Sequence, residues 1–246
     1  MQAAPTLSVD ITIPVLNEET GLEENVLELR RFLLEFYRGT LYFRIVIADN
    51  GSTDNTPALA RGLADQYGEI AWIALAERGV GRALKASWSH SEADLVGYMD
   101  LDLATDLVHF TEAYHALAHD DYHLAYGTRL HPESTVRGRS IKREVTSRVF
   151  NLMLGTYLGT KFSDGMCGFK FLRRDRLSEL LDNGAVSDGW FFSTELLAVA
   201  EWRGLHLKEL PVTWTDDVSS SRVRILPLAR EYVRAMKVLK TKKVIR

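Results

Sequence analysis

Short apolar runs alternate with helix-length amphipathic runs through the first half of this 246-residue chain. SVDITIP, FRIVIAD, IAWIALAE and DLVGYMD are predicted strands, and apolar residues recur at helical spacing in the segments between them. Strands that are nearly continuously apolar and are separated by helices form a mostly parallel sheet with both faces covered. The alternation therefore predicts a doubly wound α/β unit.

The second half has a mixed order of predicted elements. Strands are predicted at YHLAYGTRL, MCGFKFLRR and HLKELPVTWT, with helices from about Leu107, from about Ile141 and over FFSTELLAVAEWRG. The stretch ILPLAREYVRAMKVLKTKK is predicted to be an amphipathic basic helix. Because no linker rich in Pro, Gly or Ser interrupts the chain, one domain is predicted for residues 1–246.

Cysteine usage and charge narrow the class of protein. Cys167 is the single cysteine, so no intrachain disulfide forms, and the amino terminus lacks the basic start and apolar run of a signal peptide. The formal net charge is −3, yet nine Lys and Arg residues between Arg222 and Arg246 stand against Glu231 alone. A basic tail on an acidic body predicts an anionic partner, either a membrane surface or nucleic acid. No base-reading motif is found, so the prediction is no nucleic acid.

Acidic residues follow three of the predicted strands. They lie in PVLNEE (14–19), in ADNGSTDNT (48–56) and at the pair Asp100 and Asp102. The carboxyl ends of parallel strands form the ligand-binding edge of such a sheet. DNGSTDN taken alone also fits a plain turn and helix cap, but three acidic strand ends on one edge indicate a site.

Asp100 and Asp102 repel each other unless a cation lies between them. Oxygen ligands without a neighbouring His or Cys favour Mg²⁺ or Mn²⁺, which complete their shell with water and substrate phosphates. The pair therefore predicts a nucleotide diphosphate clamp. The fragment GVGRA (79–83) is an incomplete dinucleotide fingerprint, and no GK[ST] phosphate loop occurs.

Several motifs together carry a resemblance to a known family. IPVLNEE, ADNGSTDNT, RGVGRALKAS, YMDLDLATDL, YGTRL, SDGMCGFKFLRRD and ELPVTWT occur in this order. The chain resembles the family 2 glycosyltransferases, which have the GT-A fold, and within them the dolichyl- or polyprenyl-phosphate glucose and mannose synthases. The resemblance implies a Rossmann-like, mostly parallel central sheet flanked by helices. CGFK and PVTWT favour the glucose type and GVG the mannose type, so both donors stay open.

The resemblance implies roles for residues on the donor side. The residues implied to bind the nucleotide sugar are Pro14, Glu18, Asp49, Asn50, Gly79, Arg82 and Asp100. Asp100 and Asp102 correspond to the metal-binding pair, with Asp102 the more direct ligand of Mg²⁺ or Mn²⁺. The predicted catalytic residues are Asp100, Asp102 and Asp164. Asp164 either orients sugar hydroxyls or assists the reaction, or it merely shapes the turn before a strand.

On the acceptor side the resemblance implies cations that hold a lipid phosphate. The matching residues are Arg129, Arg143 and Ser147, with Arg222 as a substitute for a family arginine. Arg143 and Ser147 are one helical turn apart, so both face one phosphate. The alternative interpretation is that the basic residues around Arg143 form a solvated loop and helix face.

The predicted activity is inverting transfer of a hexose from UDP-glucose or GDP-mannose to a polyprenyl phosphate. Residues 1–105 are predicted to bind the nucleotide sugar, 106–221 the acceptor, and 222–246 to form the basic helix. The basic helix and SRVFNLMLGTYLG predict a cytoplasmic protein that is peripheral to the inner face of a membrane. Two alternatives stay open: a GT-A transferase with a soluble saccharide or protein acceptor, and a non-catalytic scaffold with a basic tail.

Overall fold

The predicted mostly parallel sheet is confirmed by the structure, a computed structural model that describes residues 7–215 and 225–244, with side chains for 7–215 and 231–242. The apolar runs form the strands of this sheet, and nearly every residue in them is buried, as expected for a sheet covered on both faces. In chain order the described strands are β1 (Val9–Val15), β2 (Phe43–Asp49), β3 (Ile70–Ala74), β4 (Leu95–Met99), β5 (Leu124–Thr128), β6 (Thr135–Arg137), β7 (Phe169–Arg173), β8 (Leu207–Pro211) and β9 (Thr213–Thr215).

The order of strands decides which loops meet. Seven strands form one sheet in the order β3-β2-β1-β4-β7-β5-β8. β7 is antiparallel to its neighbours β4 and β5, while the other described neighbours in this sheet are parallel. The amino end of β7 therefore lies at the same edge as the carboxyl ends of β4 and β5.

Helices cover both faces of this sheet. The described α-helices are α1 (Leu22–Tyr37), α2 (Thr56–Gln66), α3 (Val80–Ser89), α4 (His109–Ala118), α5 (Ile141–Leu154), α6 (Leu177–Asp182), α7 (Phe192–Trp202) and α8 (Ile225–Val244). α1, α2 and α4 pack on one face, while α3, α6, α7 and α8 pack on the other. Apolar side chains three or four residues apart make this possible, as with the buried Leu22, Val26, Leu29 and Leu33 of α1.

Two details differ from the pattern in the sequence. HLKELPVTWT is not one strand, because β8 ends at Pro211 and β9 pairs with β6 in a separate two-stranded sheet. β6 lies between the predicted strand YHLAYGTRL and the helix predicted from about Ile141, where the sequence indicates no strand, since three residues are too few to show alternation.

The basic helix α8 packs by one face only. Tyr232, Met236 and Leu239 are buried, whereas Arg234 and Lys237 are exposed. Within the described ranges, no helix combines the length and the apolarity needed to cross a bilayer.

Candidate active site

The carboxyl ends of β1 and β2 bring the first predicted donor residues together. Val15 pairs with Asp49 in the sheet, and the buried Asp49 accepts a hydrogen bond at Oδ1 from the Ser52 amide at 3.0 Å. The next residue, Asn50, is also buried, and its Oδ1 accepts from the Gly79 amide at 3.2 Å. Asp49, Asn50 and Gly79 thus form one connected corner of the rim.

The loop after β1 is fixed onto the loop after β2. Asn17 has a positive φ of 56°, a conformation that asparagine tolerates better than most residues. Its amide donates to Ser52 Oγ at 2.9 Å, and its Oδ1 accepts from the Thr53 amide at 2.8 Å. The Glu18 amide donates to Thr56 Oγ1 at 2.8 Å. Glu18 is therefore positioned beside the amino end of α2.

Two further predicted donor residues have different surroundings. Pro14 lies in β1 and is partly buried. Arg82 lies in α3, and its guanidinium pairs with Glu77 at 2.7 Å and with Asp188 at 3.0 Å. Lys85 also binds Asp188, at 2.7 Å. Two carboxylates thus engage Arg82, and a partner 106 residues along the chain was not visible in the sequence.

Asp100 and Asp102 follow β4 at the same edge. The Asp100 amide donates to Gly168 O at 3.1 Å, and its carboxylate lies directly over the α-carbon of Gly168. A Cβ atom at Gly168 would be 1.9 Å from Asp100 Oδ2. Asp102 is exposed, and its Oδ1 accepts from the Ala104 amide at 3.1 Å. One carboxylate is therefore held against β7 while the other faces outward.

The charges around this pair fit a divalent cation. Burial, together with the charge of Asp102, raises the pKa of Asp100 to about 7, against the opposing effect of Arg129 and Lys170. Among the described residues, no group of three or more His, Cys, Asp or Glu side chains is placed to hold a metal ion. Two carboxylates suit Mg²⁺ or Mn²⁺ with a diphosphate, since these ions take few protein ligands. The donor set fits the predicted ion.

Replacing Gly168 with alanine is expected to weaken Mn²⁺ binding in the presence of UDP by about 10-fold to 100-fold. The new methyl group collides with Asp100 and displaces its carboxylate. Titration calorimetry of UDP with Mn²⁺ measures the effect. Gly62→Ala in α2 is the control, because its Cβ meets no atom within 4 Å. Equal affinity in Gly168→Ala and Gly62→Ala would contradict the placement of Asp100.

Asp164 and Arg129 form a buried ion pair beside the acidic pair. Arg129 donates from Nε to Asp164 Oδ2 at 2.8 Å and from Nη2 to Oδ1 at 3.1 Å. The Met166 amide also donates to Oδ1, at 3.0 Å. Burial alone would raise the pKa of Asp164, but Arg129 outweighs it and lowers that pKa to about 2. Asp164 is therefore ionised and holds Arg129, and any contact of Asp164 with a sugar stays a prediction.

Lys170 is a buried cation that the motif analysis missed. Its Nζ donates to Cys167 O at 2.6 Å and to Gly165 O at 3.2 Å, which fixes the turn before β7. Burial lowers the pKa of Lys170 to about 8, against the opposing charge of Asp164. A lysine inside the apolar strand FKFLR was the signal available in the sequence.

Two of the predicted acceptor residues, Arg143 and Ser147, lie on α5, whereas Arg129 follows β5. Ser140 caps this helix, its Oγ accepting from the Arg143 amide at 3.3 Å, and Ser147 lies one turn after Arg143. Ser147 Oγ accepts a hydrogen bond from Arg139, a residue that had been grouped with the solvated basic face. Arg222 lies outside the described residues.

Comparison with curated proteins finds relatives that are named as glycosyltransferases. The chain is 32% identical over 213 residues to "Glycosyltransferase AglD" of Haloferax volcanii, covering 86% of this chain and 34% of AglD. It is 27% identical over 227 residues to "Dolichyl-phosphate beta-glucosyltransferase" of Drosophila melanogaster, covering 88% of this chain and 69% of that protein. The chain thus spans about a third of AglD and about two thirds of the Drosophila protein.

Comparison with solved structures finds the same fold. Glucosyl-3-phosphoglycerate synthase of Mycobacterium tuberculosis, solved with Mn²⁺, UDP and glucosyl-3-phosphoglycerate, superposes with a TM-score of 0.68 at 17% identity. The match covers 96% of this chain and 80% of that one. The fold is therefore of the GT-A type.

The sequence profile of Glycosyl transferase family 2 matches residues 10–181, which include β2 to β7, Asp100, Asp102, Arg129 and Asp164. With the fold, the acidic edge and this match in agreement, the resemblance predicted from the motifs is confirmed, and the chain belongs to glycosyl transferase family 2.

Proposed function

We propose that this protein transfers glucose from UDP-glucose to a polyprenyl phosphate with inversion at the anomeric carbon. The names of the relatives support glucose over the alternative donor GDP-mannose, since three of them are called dolichyl-phosphate beta-glucosyltransferases. The donor would lie against the corner formed by Glu18, Asp49, Asn50 and Gly79, with its diphosphate toward Asp100 and Asp102.

One observation carries the proposal: opposite charges meet at one edge of the sheet. Asp100 and Asp102 follow β4, and Arg129 follows β5. The charges of Arg129 and Asp100 attract each other. The charge of Arg129 lowers the pKa of Asp100, and the charge of Asp100 raises the pKa of Arg129. A site for a metal-bound diphosphate beside a site for a second phosphate is what a transfer between two phosphorylated compounds requires.

The chemistry needs no strong base. A phosphate monoester is largely dianionic at neutral pH because its second pKa is near 6. One of its oxygens forms a bond to the anomeric carbon while the bond from that carbon to the nucleoside diphosphate breaks, and the electron pair leaves with the diphosphate. No proton has to be removed, so Asp164 contributes by holding Arg129 in place rather than by accepting a proton.

Asp102, with Asp100, would hold the Mg²⁺ or Mn²⁺ ion. The bound ion would neutralise the charge that develops on the leaving diphosphate. Arg129, Arg143 and Ser147 would hold the acceptor phosphate. Keeping the two anionic substrates side by side is then the main contribution of the protein to the rate.

The outer face of α5 supports a membrane-bound acceptor. Ile141, Val145, Val149 and Leu152 form an exposed apolar stripe, with Ile141 83% exposed and Leu152 68% exposed. Arg143 and Ser147 lie on the opposite side of the same helix, because successive residues turn by about 100°. A helix with apolar side chains outward and phosphate ligands inward suits an acceptor with a lipid tail and a phosphate head.

α8 packs against the inner side of α5 and carries exposed positive charge at Arg234 and Lys237. The Phe150 and Tyr232 rings are 5.3 Å apart, and Lys240 Nζ lies 4.0 Å from the ring centre of Tyr157. An apolar stripe beside cations is typical of surfaces that bind anionic membranes. We therefore propose that α5 and α8 place the protein on a membrane surface.

A charge placed in the stripe is expected to release the protein from membranes. Val149→Glu should reduce binding to vesicles of phosphatidylglycerol and phosphatidylcholine by about tenfold or more, since a carboxylate must leave water. Vesicle flotation measures the bound fraction. Thr146→Glu is the matched control, because Thr146 is exposed on α5 outside the stripe. Equal release of both variants would show that net charge rather than the stripe governs binding.

The transfer reaction itself is tested with dolichyl phosphate in detergent, offering UDP-glucose or GDP-mannose with Mn²⁺. We expect glucosyl-phosphoryl-dolichol from UDP-glucose, detected by mass spectrometry. Product from GDP-mannose alone would replace the donor in the proposal. Transfer to a soluble saccharide but not to dolichyl phosphate would favour the soluble-acceptor alternative. Absence of nucleotide binding altogether would favour the scaffold.

A further inference from the structure

Arg139 lies just before α5 in an unusual position for an arginine. Its side chain is only 6% exposed, and its Nη1 donates to Glu144 Oε2 at 2.9 Å. Its guanidinium carbon is 5.8 Å from the ring centre of Trp214, and that of Arg129 is 5.4 Å from the same ring. Two arginines therefore share one indole ring, which brings positive charges together.

Counting only the charged side chains that the structure describes around Trp214, cations exceed carboxylates at this corner. Arg129 is neutralised by Asp164, but the Glu144 carboxylate serves both Arg139 and Arg148, the latter at 2.6 Å. Burial lowers the pKa of Arg139, and the charge of Arg129 lowers it further, against the opposing effect of Glu144. A cation kept buried near other cations is stabilised when an anion binds beside it.

The hydrogen bond from Arg139 determines whether the Ser147 hydroxyl donates to a ligand or accepts from it. Arg139 Nη2 donates to Ser147 Oγ, so that oxygen acts as an acceptor toward the arginine. A hydroxyl has one proton to donate, and here that proton is left for another partner. In addition, the buried Arg139 Nε has no hydrogen-bond partner among the described residues. Two donors at this corner, the Ser147 hydroxyl and Arg139 Nε, thus have no acceptor among the hydrogen bonds of the described residues.

We propose that Arg139 is a positioning residue of the acceptor site, which holds the Ser147 hydroxyl as a donor toward a phosphate monoester and adds its own charge. The inference rests on the proposed function and adds a residue that the family motifs did not supply. It assigns Arg139 to the acceptor alone, because the donor corner at Asp49 and Gly79 is built from other elements.

The test uses the full chain with UDP-glucose, Mn²⁺ and farnesyl phosphate in detergent. Arg139→Gln is expected to raise the KM for farnesyl phosphate about tenfold or more, with the KM for UDP-glucose unchanged. Arg139→Lys should recover part of the loss, since it keeps the charge but has fewer donors. In a Ser147→Ala background the effect of Arg139→Gln should shrink, because the two residues act together.

Lys142→Gln is the matched control, since Lys142 is an exposed cation three residues further along, in the first turn of α5. Calorimetric binding of farnesyl phosphate and of UDP is measured on the same variants. If Arg139→Gln binds farnesyl phosphate as wild type does, the inference is wrong whether or not sugar is transferred. Equal effects of Arg139→Gln and Lys142→Gln would also overturn it. If wild type binds farnesyl phosphate but transfers no sugar to it, the proposed function fails instead.

Discussion

Replacing Asp164 with asparagine is expected to lower the free energy of unfolding by about 3–5 kcal/mol, because the largely buried Arg129 then lacks a counter-charge. Asp164 is fully buried, and two hydrogen bonds join it to the Arg129 side chain. For a chain of this size the loss corresponds to a fall in Tm of about 10 °C. Chemical denaturation and calorimetry measure both quantities.

The pH dependence of stability provides a second measurement on the same variant. The pKa of Asp164 is about 2 in the folded protein, below its usual value. Its stabilising effect is therefore complete above about pH 4 and is lost as the pH falls toward 2. Asp164→Asn should lack this part of the acid dependence. Glu112→Gln, at an exposed pair with Lys208, should change stability by less than about 1 kcal/mol.

Asp102→Ala is expected to reduce sugar transfer about a thousandfold. A metal ion supplies several kcal/mol of charge stabilisation, and each 1.4 kcal/mol is about a factor of ten in rate. The variant should also lose Mn²⁺-dependent binding of UDP. Its Tm without metal should stay close to that of wild type, because Asp102 is exposed.

Asp106→Asn is the control for this measurement. Asp106 is exposed four residues further along, and its Oδ1 accepts from the Val108 amide at 3.0 Å. This variant should keep Mn²⁺-dependent UDP binding. Should Asp102→Ala bind UDP with Mn²⁺ as tightly as Asp106→Asn does, the acidic pair would not be the metal site.

The parts of the fold that were predicted correctly are those with a local pattern of apolar residues in the sequence. FRIVIAD and DLVGYMD each contain a run of mostly apolar residues, so the burial and the parallel pairing of these strands follow from composition. The positions of Asp49 and Asp100 follow in turn, because a parallel sheet brings its strand ends to one edge. The grouping of Asp49 and Asp100 at one edge of the sheet was therefore predictable from the sequence.

Other features depend on contacts between distant segments. The pairing of β6 with β9 joins segments almost 80 residues apart and has no local pattern. Arg82 was expected to contribute charge to the donor, whereas Asp188 engages it across more than 100 residues. In the sequence, Arg139 is one of several arginines expected at the surface, but in the structure Trp214 and Glu144 enclose its side chain. Composition cannot distinguish a solvated arginine from an enclosed one.

The reversed strand β7 has a consequence for synthesis on the ribosome. β4 is fully buried and apolar, and it lies between β1 and β7 in the sheet. β1 is made before β4, but β7 is made about 70 residues later. At about 5–20 residues per second, the edge of β4 waits roughly 4–14 seconds for its partner. An unpaired apolar strand edge is prone to aggregation. We expect the nascent chain to need protection by a chaperone during that interval, and a fragment ending near residue 105 to aggregate rather than to bind nucleotide.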